Sequence, residues 1–250
     1  MVLGEILPQQ SFAFMVIFAR VGTLIMLMPG FDQVFVPVRV RAAFAVLVSL
    51  VMVPVVTVPQ ISDSGLETFI IVAQEVLVGA FLGLMAKFVL SALDTAGTII
   101  GMQTGIANAF ILNPGMAQQG AIFGVFLVMA GMVAIFATDL HHHTFLALAS
   151  SYNVFPPGTW LPLGDAIDHL GRIFSKSFGI AVQLAAPLIV LGIIFNVGVG
   201  ILSRLMPQVQ IFFITVSGQI IMGLFVLAMT TAALMMVFLK VYQDTFVGVL

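Results

Sequence analysis

Apolar residues are gathered into six long runs along the chain, and short polar connections separate them. Each run approaches the length that a helix rising about 1.5 Å per residue needs to cross a hydrocarbon layer about 30 Å thick. The third run is longer than one span requires. Because a backbone crosses lipid only when its hydrogen bonds are satisfied internally, the pattern predicts one all-α domain that is integral to a membrane or associated with it. The predicted apolar segments are residues 12–28, 42–58, 66–93, 121–137, 178–202 and 211–239.

The stretch between the third and fourth runs, residues 94–120, is rich in glycine and amide side chains and almost uncharged. Gly97, Gly101 and Gly105 recur every fourth residue. On a helix they form one ridge without side chains, against which another backbone can pack closely. Further along, the Asn-Pro-Gly run at residues 113–115 disfavours a continuing helix.

An irregular polar backbone between membrane-grade helices is tolerated only where it is buried in protein or lines a watery cavity. Residues 94–120 are therefore predicted to form a gate or plug region. The glycine ridge is expected to hold the chain to its neighbours, and the later part to move. The residues expected to block a pore are Phe110, Ile111, Leu112, Asn113, Pro114, Gly115 and Met116.

Three ionisable residues, Arg20, Glu75 and Lys87, lie inside apolar runs and are predicted to be buried charges. A charge in such a position is costly and by default indicates function. Glu75 and Lys87 are twelve residues apart and cannot meet on one helix, so pairing of Glu75 with Arg20 across two helices is the simplest arrangement. A proton or ion relay, or exposure in an aqueous channel, are the alternatives.

The composition agrees with a membrane protein, since 61% of the 250 residues are apolar, 7% are charged and the mean hydropathy is +1.22. Soluble domains average about 25% charged residues. The net charge of −2, without a basic block, leaves nucleic-acid binding unsupported. No cysteine is present, which excludes disulfides and thiol chemistry.

The basic residues between the apolar runs indicate which loops are cytoplasmic, because cytoplasmic loops carry an excess of lysine and arginine. By this rule, the loops that contain Arg39, Arg41 and Arg204 are cytoplasmic. Lys240 falls on the side that should be outside, so the orientation of the C-terminus stays open.

The nearest approach to a metal-binding motif is Asp139 followed by the three consecutive histidines at 141–143. Imidazole and carboxylate groups can together bind zinc or iron. Consecutive side chains on a helix fan out by about 100° each, however, so this spacing favours interfacial hydrogen bonding or helix capping instead. The common nucleotide-binding, metalloprotease and serine-hydrolase motifs are absent. The sequence therefore predicts a protein that is not an enzyme and has no metal and no cofactor.

Several local patterns together resemble one family, the FliR proteins of the flagellar export gate and their SctT counterparts in type III secretion injectisomes. The resemblance covers nearly the whole chain, and it rests on the joint order of short motifs. These motifs are Arg20-Val-Gly22, Pro29-Gly30, Val36-Pro37-Val38-Arg39-Val40-Arg41, Gln74-Glu75 with Gly79 and Gly83, Ala96-Gly97 to Gly105, Asp139-Leu140-His141-His142, Ser151-Tyr152 before Phe155-Pro156, Ala185-Ala186-Pro187 and Ser203-Arg204-Leu205-Met206-Pro207-Gln208. A departure occurs at residues 215–219, where the family pattern leads us to expect Gly-x-Pro and a lysine.

The resemblance implies a non-enzymatic subunit of a protein export channel in the bacterial inner membrane, at a flagellar basal body or an injectisome base. It implies assembly with FliP-like and FliQ-like subunits, contact with an FlhB-like switch protein and an FlhA-like motor component, and transient contact with unfolded substrates and with lipid. Its helices would form bent hairpins, and the loop matching residues 105–120 would help to plug the pore. The balance of motifs favours a flagellum.

Two other functions stay open at this point. In a secondary transporter, residues 94–120 would be a broken helix at a substrate site, although the fifth run shows no comparable break in a matching half. In a membrane scaffold without a pore, the glycine ridge would matter and the Asn-Pro-Gly loop would not.

Overall fold

The computed structural model describes residues 3–31, 36–60, 64–105, 122–205 and 211–247, and within these ranges the regular structure is α-helical. The helices of this part of the chain are α1 (Leu3–Leu27), α2 (Val38–Met52), α3 (Gly65–Gln103), α4 (Ile122–Ala137), α5 (His141–Val154), α6 (Leu163–Leu205) and α7 (Ile211–Val247). Each of the six predicted apolar segments overlaps one of these helices, and the predicted all-α class is confirmed.

Three helices extend well beyond the apolar segments that predicted them. They are α3, α6 and α7, with 39, 43 and 37 residues. At about 1.5 Å per residue they are about 55–65 Å long, roughly twice the thickness of a hydrocarbon layer. Hydropathy therefore marked only the apolar part of each. Helix α6, for example, carries the exposed charged residues Asp168, Arg172 and Lys176 in its first part and is apolar in its second part.

The second predicted segment, residues 42–58, is wrong in its extent. The helix covers Val38–Met52, so it begins earlier and stops sooner. Proline has no backbone N–H, so Pro54 cannot donate the next helical hydrogen bond, and the regular helix ends before it although Val53 still has right-handed helical angles. With 15 residues, α2 is about 23 Å long and too short to cross a membrane alone.

An additional helix, α5, occupies part of the polar connection that the sequence pattern left irregular. It ends at Val154, and Pro156 and Pro157 follow after Phe155. Helix α4 has 16 residues and α5 has 14, and a three-residue turn at 138–140 separates them. Neither helix is long enough to span a membrane by itself, whereas the two together meet the length and composition criteria.

Four helical segments of the described ranges are each long and apolar enough to cross a membrane. A fifth span results if α4 and α5 are counted as one interrupted segment. The number of such segments is smaller than the six apolar runs of the sequence, because the second and fourth runs form helices shorter than the thickness of a hydrocarbon layer. The four segments are Pro8–Leu27, Gly65–Gln103, Leu163–Leu205 and Thr215–Phe246.

The chain groups into two compact units, to which α3, α6 and α7 each contribute residues. Unit 1 comprises residues 1–88, 139–174 and 242–250. Its core is built around the buried faces of α1 and α3, including Ile17, Leu24 and Met85. Unit 2 comprises residues 89–138 and 175–241, with Leu127 and Phe238 among its buried residues. The single all-helical domain over residues 1–250 stays a prediction.

Candidate functional site

Arg20 and Glu75 meet inside unit 1, where both side chains are buried. Arg20 lies on α1 and Glu75 on α3. The Arg20 Nε donates a hydrogen bond to Glu75 Oε2 at 2.6 Å, and Nη2 donates to Oε1 at 3.0 Å. Two such parallel bonds fix the orientation of both groups and are stronger than bonds between neutral partners. The predicted pairing across two helices is thus present in the structure.

The other donor interactions of Arg20 reach α5 and the residue after it. Its Nη1 donates to the Ser151 Oγ at 3.0 Å, and Nη2 also donates to the Phe155 carbonyl oxygen at 2.8 Å. The guanidinium carbon lies 4.1 Å from the centroid of the Tyr152 ring, which is a cation–π distance. One arginine therefore connects α1, α3 and the end of α5.

Two glycines of α3 allow α1 to approach closely enough for this pairing. A Cβ atom at Gly79 would collide with the carbonyl oxygen of Arg20, and one at Gly83 would lie 2.6 Å from the Cβ atom of Leu27. Glu75 lies one helical turn before Gly79, on the same side of α3. The close backbone contact thus places the Glu75 carboxylate within reach of the guanidinium.

The geometry favours the structural pair over the proton relay. Arginine stays protonated in proteins and has no acceptor, so it cannot pass a proton on. Both carboxylate oxygens of Glu75 accept hydrogen bonds from Arg20, so both are already engaged by a group that does not give up its proton. The cluster can therefore join three helices, and nothing in its arrangement moves a proton.

Lys87 differs from the other two predicted buried charges, because its side chain is exposed at the surface of the chain. The chain by itself therefore does not bury Lys87, and its burial among other subunits stays a prediction. At about 100° per residue, Lys87 lies about 120° around α3 from Glu75. It therefore points away from the face that packs on α1.

Gly97 is a point of close contact between α3 and α4 within unit 2. A Cβ atom at Gly97 would overlap the backbone of Gly124 and Phe123, and one at Gly124 would lie 2.6 Å from the Asp94 Oδ1. Gly101, one turn after Gly97, is also buried. The ridge was expected to hold the chain to neighbouring subunits, whereas Gly97 packs against a helix of its own chain.

The end of α3 is tied to α7 by an amide side chain. Gly105 follows the helix with a φ of +75°, and a Cβ atom there would lie 2.8 Å from the Gln219 Oε1. The Nε2 of Gln219 donates to the Gln103 carbonyl oxygen at 2.8 Å. Thr104 is buried, and a Cβ atom at Gly223 would lie 2.7 Å from its Cγ2. These contacts fix the backbone directly before residue 106.

Replacing Gln219 by alanine is expected to lower the free energy of unfolding by about 1–3 kcal/mol. The reason is that the carbonyl of Gln103 lies in the last turn of α3, where a helix supplies no partner of its own. Urea unfolding of the detergent-solubilised chain, followed by circular dichroism, measures the change. Gln183→Ala, at an exposed glutamine of α6, is the matched control and should stay within about 0.5 kcal/mol of the parent. Equal midpoints for the two variants would show that the Gln219 bond contributes nothing.

Comparison of the sequence with known proteins complements this geometry. The model of a family described as bacterial export proteins, family 1, matches residues 11–245. The chain belongs to this family. The flagellar biosynthetic protein FliR of Caulobacter vibrioides is 37% identical over 239 residues, which cover 94% of each chain. FliR of Aquifex aeolicus is 24% identical over 228 residues, covering 91% of this chain and 88% of the relative. The Yop proteins translocation protein T of Yersinia pestis is 28% identical over 156 residues, covering 62% and 60%.

These relatives confirm the resemblance to the FliR and SctT proteins that the sequence motifs indicated. This export-family chain is a component of flagellar biosynthesis or type III export, and its apolar helices make it a membrane-embedded one. The family consists of structural components of an export apparatus rather than a known class of enzyme.

The predicted plug of this export-family chain lies outside the residues that the structure describes, which end at residue 105 and resume at 122. The plug therefore stays a prediction. What the structure adds is the firm attachment of the residues directly before it, at Gln103 and Gly105. The predicted plug residues concerned are Phe110, Ile111, Leu112, Asn113, Pro114, Gly115 and Met116.

The motif that begins at Asp139 adopts a different geometry from the one assumed in the sequence analysis. Asp139 and Leu140 lie in the turn before α5, and Asp139 has a φ of +58°. The argument that consecutive helical side chains fan out therefore does not apply to Asp139. Its carboxylate, His141 and His142 each offer a ligand atom within 4.8 Å of the other two.

Sequence reasoning gave no role to three of the groups around Arg20, namely Ser151, Tyr152 and Phe155. They were noted only as family motifs. A buried arginine needs more hydrogen-bond acceptors than one carboxylate supplies. This requirement could have predicted further polar partners for Arg20, but not which residues they are. Gln219 was noted only as a departure from the family pattern, and its contact with Gln103 depends on how α3 and α7 pack in unit 2.

Proposed function

We propose that this chain is a non-enzymatic subunit of the flagellar protein export channel, that it forms part of the pore wall, and that residues 110–116 help to keep the channel closed. The observation that carries the proposal is the family match over residues 11–245. The uncharged, amide-rich stretch that follows Gly105 has the composition expected of a lining or a plug, because it is too polar to face lipid.

The choice of a flagellum rather than an injectisome is supported by the relatives. The FliR of Caulobacter vibrioides matches this chain over 94% of both lengths, whereas the Yersinia pestis translocation protein matches it over 62%. On this proposal the chain assembles in the bacterial inner membrane with FliP-like and FliQ-like subunits. An FlhB-like switch protein and an FlhA-like motor component contact the assembly, and unfolded export substrates pass through it.

The exposed apolar surface of the chain agrees with assembly in a larger complex that also contacts lipid. Large apolar side chains are exposed along α6 and α7, among them Phe178, Ile194 and Phe225. Exposed apolar surface of this extent marks contact with other subunits or with a membrane. The transporter alternative is less favoured, because α6 continues through Pro187 without a break, whereas a transporter would interrupt a second helix in a matching half.

Deleting residues 109–118 is expected to make the assembled channel leaky to ions and small molecules. The deletion removes the apolar patch and the Asn-Pro-Gly turn but leaves α3, Gly105 and the Gln219 contact intact. The subunit is co-produced with its FliP-like and FliQ-like partners, and the purified complex is reconstituted into vesicles for measurement of ion conductance and dye efflux.

A full-length variant in which Phe110, Ile111 and Leu112 are replaced by serine separates the plug from the length of the loop. It should leak as well, because hydration of a polar constriction removes the barrier to ions. Co-purification of all three subunits shows that the assembly has survived. Unchanged permeability in an assembled deletion variant would disprove the plug assignment while leaving membership of the complex intact.

A further inference from the structure

We propose that the turn before α5 binds one divalent transition-metal ion of the zinc class through Asp139, His141 and His142. None of these residues belongs to the Arg20 cluster, and the export function assigns them no role. The proposal therefore does not depend on the plug.

The positions of the ligand atoms carry the proposal. One carboxylate oxygen of Asp139 and one ring nitrogen from each of the two histidines lie within 4.8 Å of one another. Zinc bonds of about 2.0–2.2 Å in tetrahedral geometry separate neighbouring ligand atoms by about 3.4 Å. Small rotations of the side chains close the difference. The side chains of Asp139 and His142 are 77% and 65% exposed, so they have room to rotate.

The backbone of Asp139 supplies an independent observation. Its φ of +58° makes it the one non-glycine residue with a positive φ among the described residues. Asparagine and aspartate tolerate this conformation best, but it is still strained relative to the right-handed region, and such strain is found at ligand sites. In this turn the strained conformation brings the carboxylate back over the start of α5.

The donor set determines which cations fit. Two imidazoles and one carboxylate suit zinc, nickel, copper and ferrous iron, whereas magnesium and calcium prefer oxygen ligands alone. The rings of His141 and His142 are neighbours, with centroids 4.1 Å apart, and each ring has a nitrogen among the grouped ligand atoms. Three protein ligands leave a fourth position for water or for a group from another subunit.

The competing explanation is that the same residues only cap the helix. The Nδ1 of His142 lies 3.2 Å from the Asp139 carbonyl oxygen, a contact that would close the turn without any metal. Capping predicts that zinc has no effect on the protein. Metal binding predicts stoichiometric uptake that depends on all three side chains.

The test uses the full-length chain in detergent, with any histidine tag removed. Equilibrium dialysis against zinc, with the metal content measured by mass spectrometry, is expected to give about one ion per chain. Cobalt, which reports tetrahedral coordination through its visible spectrum, is a second probe. Asp139→Asn, His141→Ala and His142→Ala should each weaken zinc binding at least about tenfold, since loss even of a group supporting a ligand costs about 10- to 100-fold.

His143→Ala and His169→Ala are the matched controls, because neither residue belongs to the cluster, and they should retain the parent affinity. Asn, like Asp, accepts a positive φ, so Asp139→Asn keeps the fold while removing the ligand charge. Zinc should also raise the melting temperature of the parent and not that of Asp139→Asn. Absence of stoichiometric zinc, or equal binding by the cluster and control variants, would overturn the proposal.

Discussion

Replacing Arg20 by leucine is expected to lower the free energy of unfolding of the isolated chain by about 3–5 kcal/mol, the usual cost of removing one partner from a buried ion pair. The substitution leaves the buried carboxylate of Glu75 without a counter-charge. It also removes the donors that reach Ser151 and the Phe155 carbonyl, together with the contact on the Tyr152 ring.

Chemical unfolding of the detergent-solubilised chain, followed by circular dichroism, measures this loss. The double substitution Arg20→Leu with Glu75→Leu should recover part of the stability, because replacing a whole buried ion pair by apolar residues is often neutral. Arg172→Leu, at an exposed arginine of the same unit, is the matched control and should change stability little. If Arg20→Leu behaved like the control, the buried cluster would not stabilise the fold.

Introducing a side chain at Gly97 is expected to have the second-largest effect. A Cβ atom at this position meets the backbone of Gly124 and Phe123, and backbone atoms cannot rotate away as a flexible side chain can. Gly97→Ala must therefore push α4 away from α3. Overpacking of this kind costs about 1–3 kcal/mol and sometimes more.

Gly179→Ala is the matched control for Gly97→Ala. Both glycines lie inside helices of unit 2, but a Cβ atom at Gly179 meets nothing within 4 Å. Since alanine is a better helix former than glycine by about 1 kcal/mol, Gly179→Ala should leave stability unchanged or raise it. Melting temperatures of the two variants, measured side by side in detergent, check the difference. Equal melting temperatures would mean that the α3 and α4 backbones do not pack at Gly97.

The lengths of the helices show why part of the fold could not be predicted from the sequence. Hydropathy detects residues that are too apolar for water, so it found the apolar parts of α3, α6 and α7 and not their polar extensions. Helix α5 escaped for the same reason. Its polar histidine, serine, threonine and asparagine residues make up half of the helix, and packing of its buried face stabilises it.

The sequence by itself determined the helical class, the family, the order of the apolar helices and the existence of a charge pair between Arg20 and Glu75. These features follow from composition, from motif order and from the cost of an unpaired charge in an apolar run. The tertiary structure alone decided that α5 completes the Arg20 cluster, that Gly97 packs against its own chain, that Lys87 is exposed, and that Asp139 turns back towards His141 and His142. Each of these features depends on which distant backbone segments approach one another, or on the left-handed conformation of a single residue. A local pattern of residues predicts neither the approach nor that conformation.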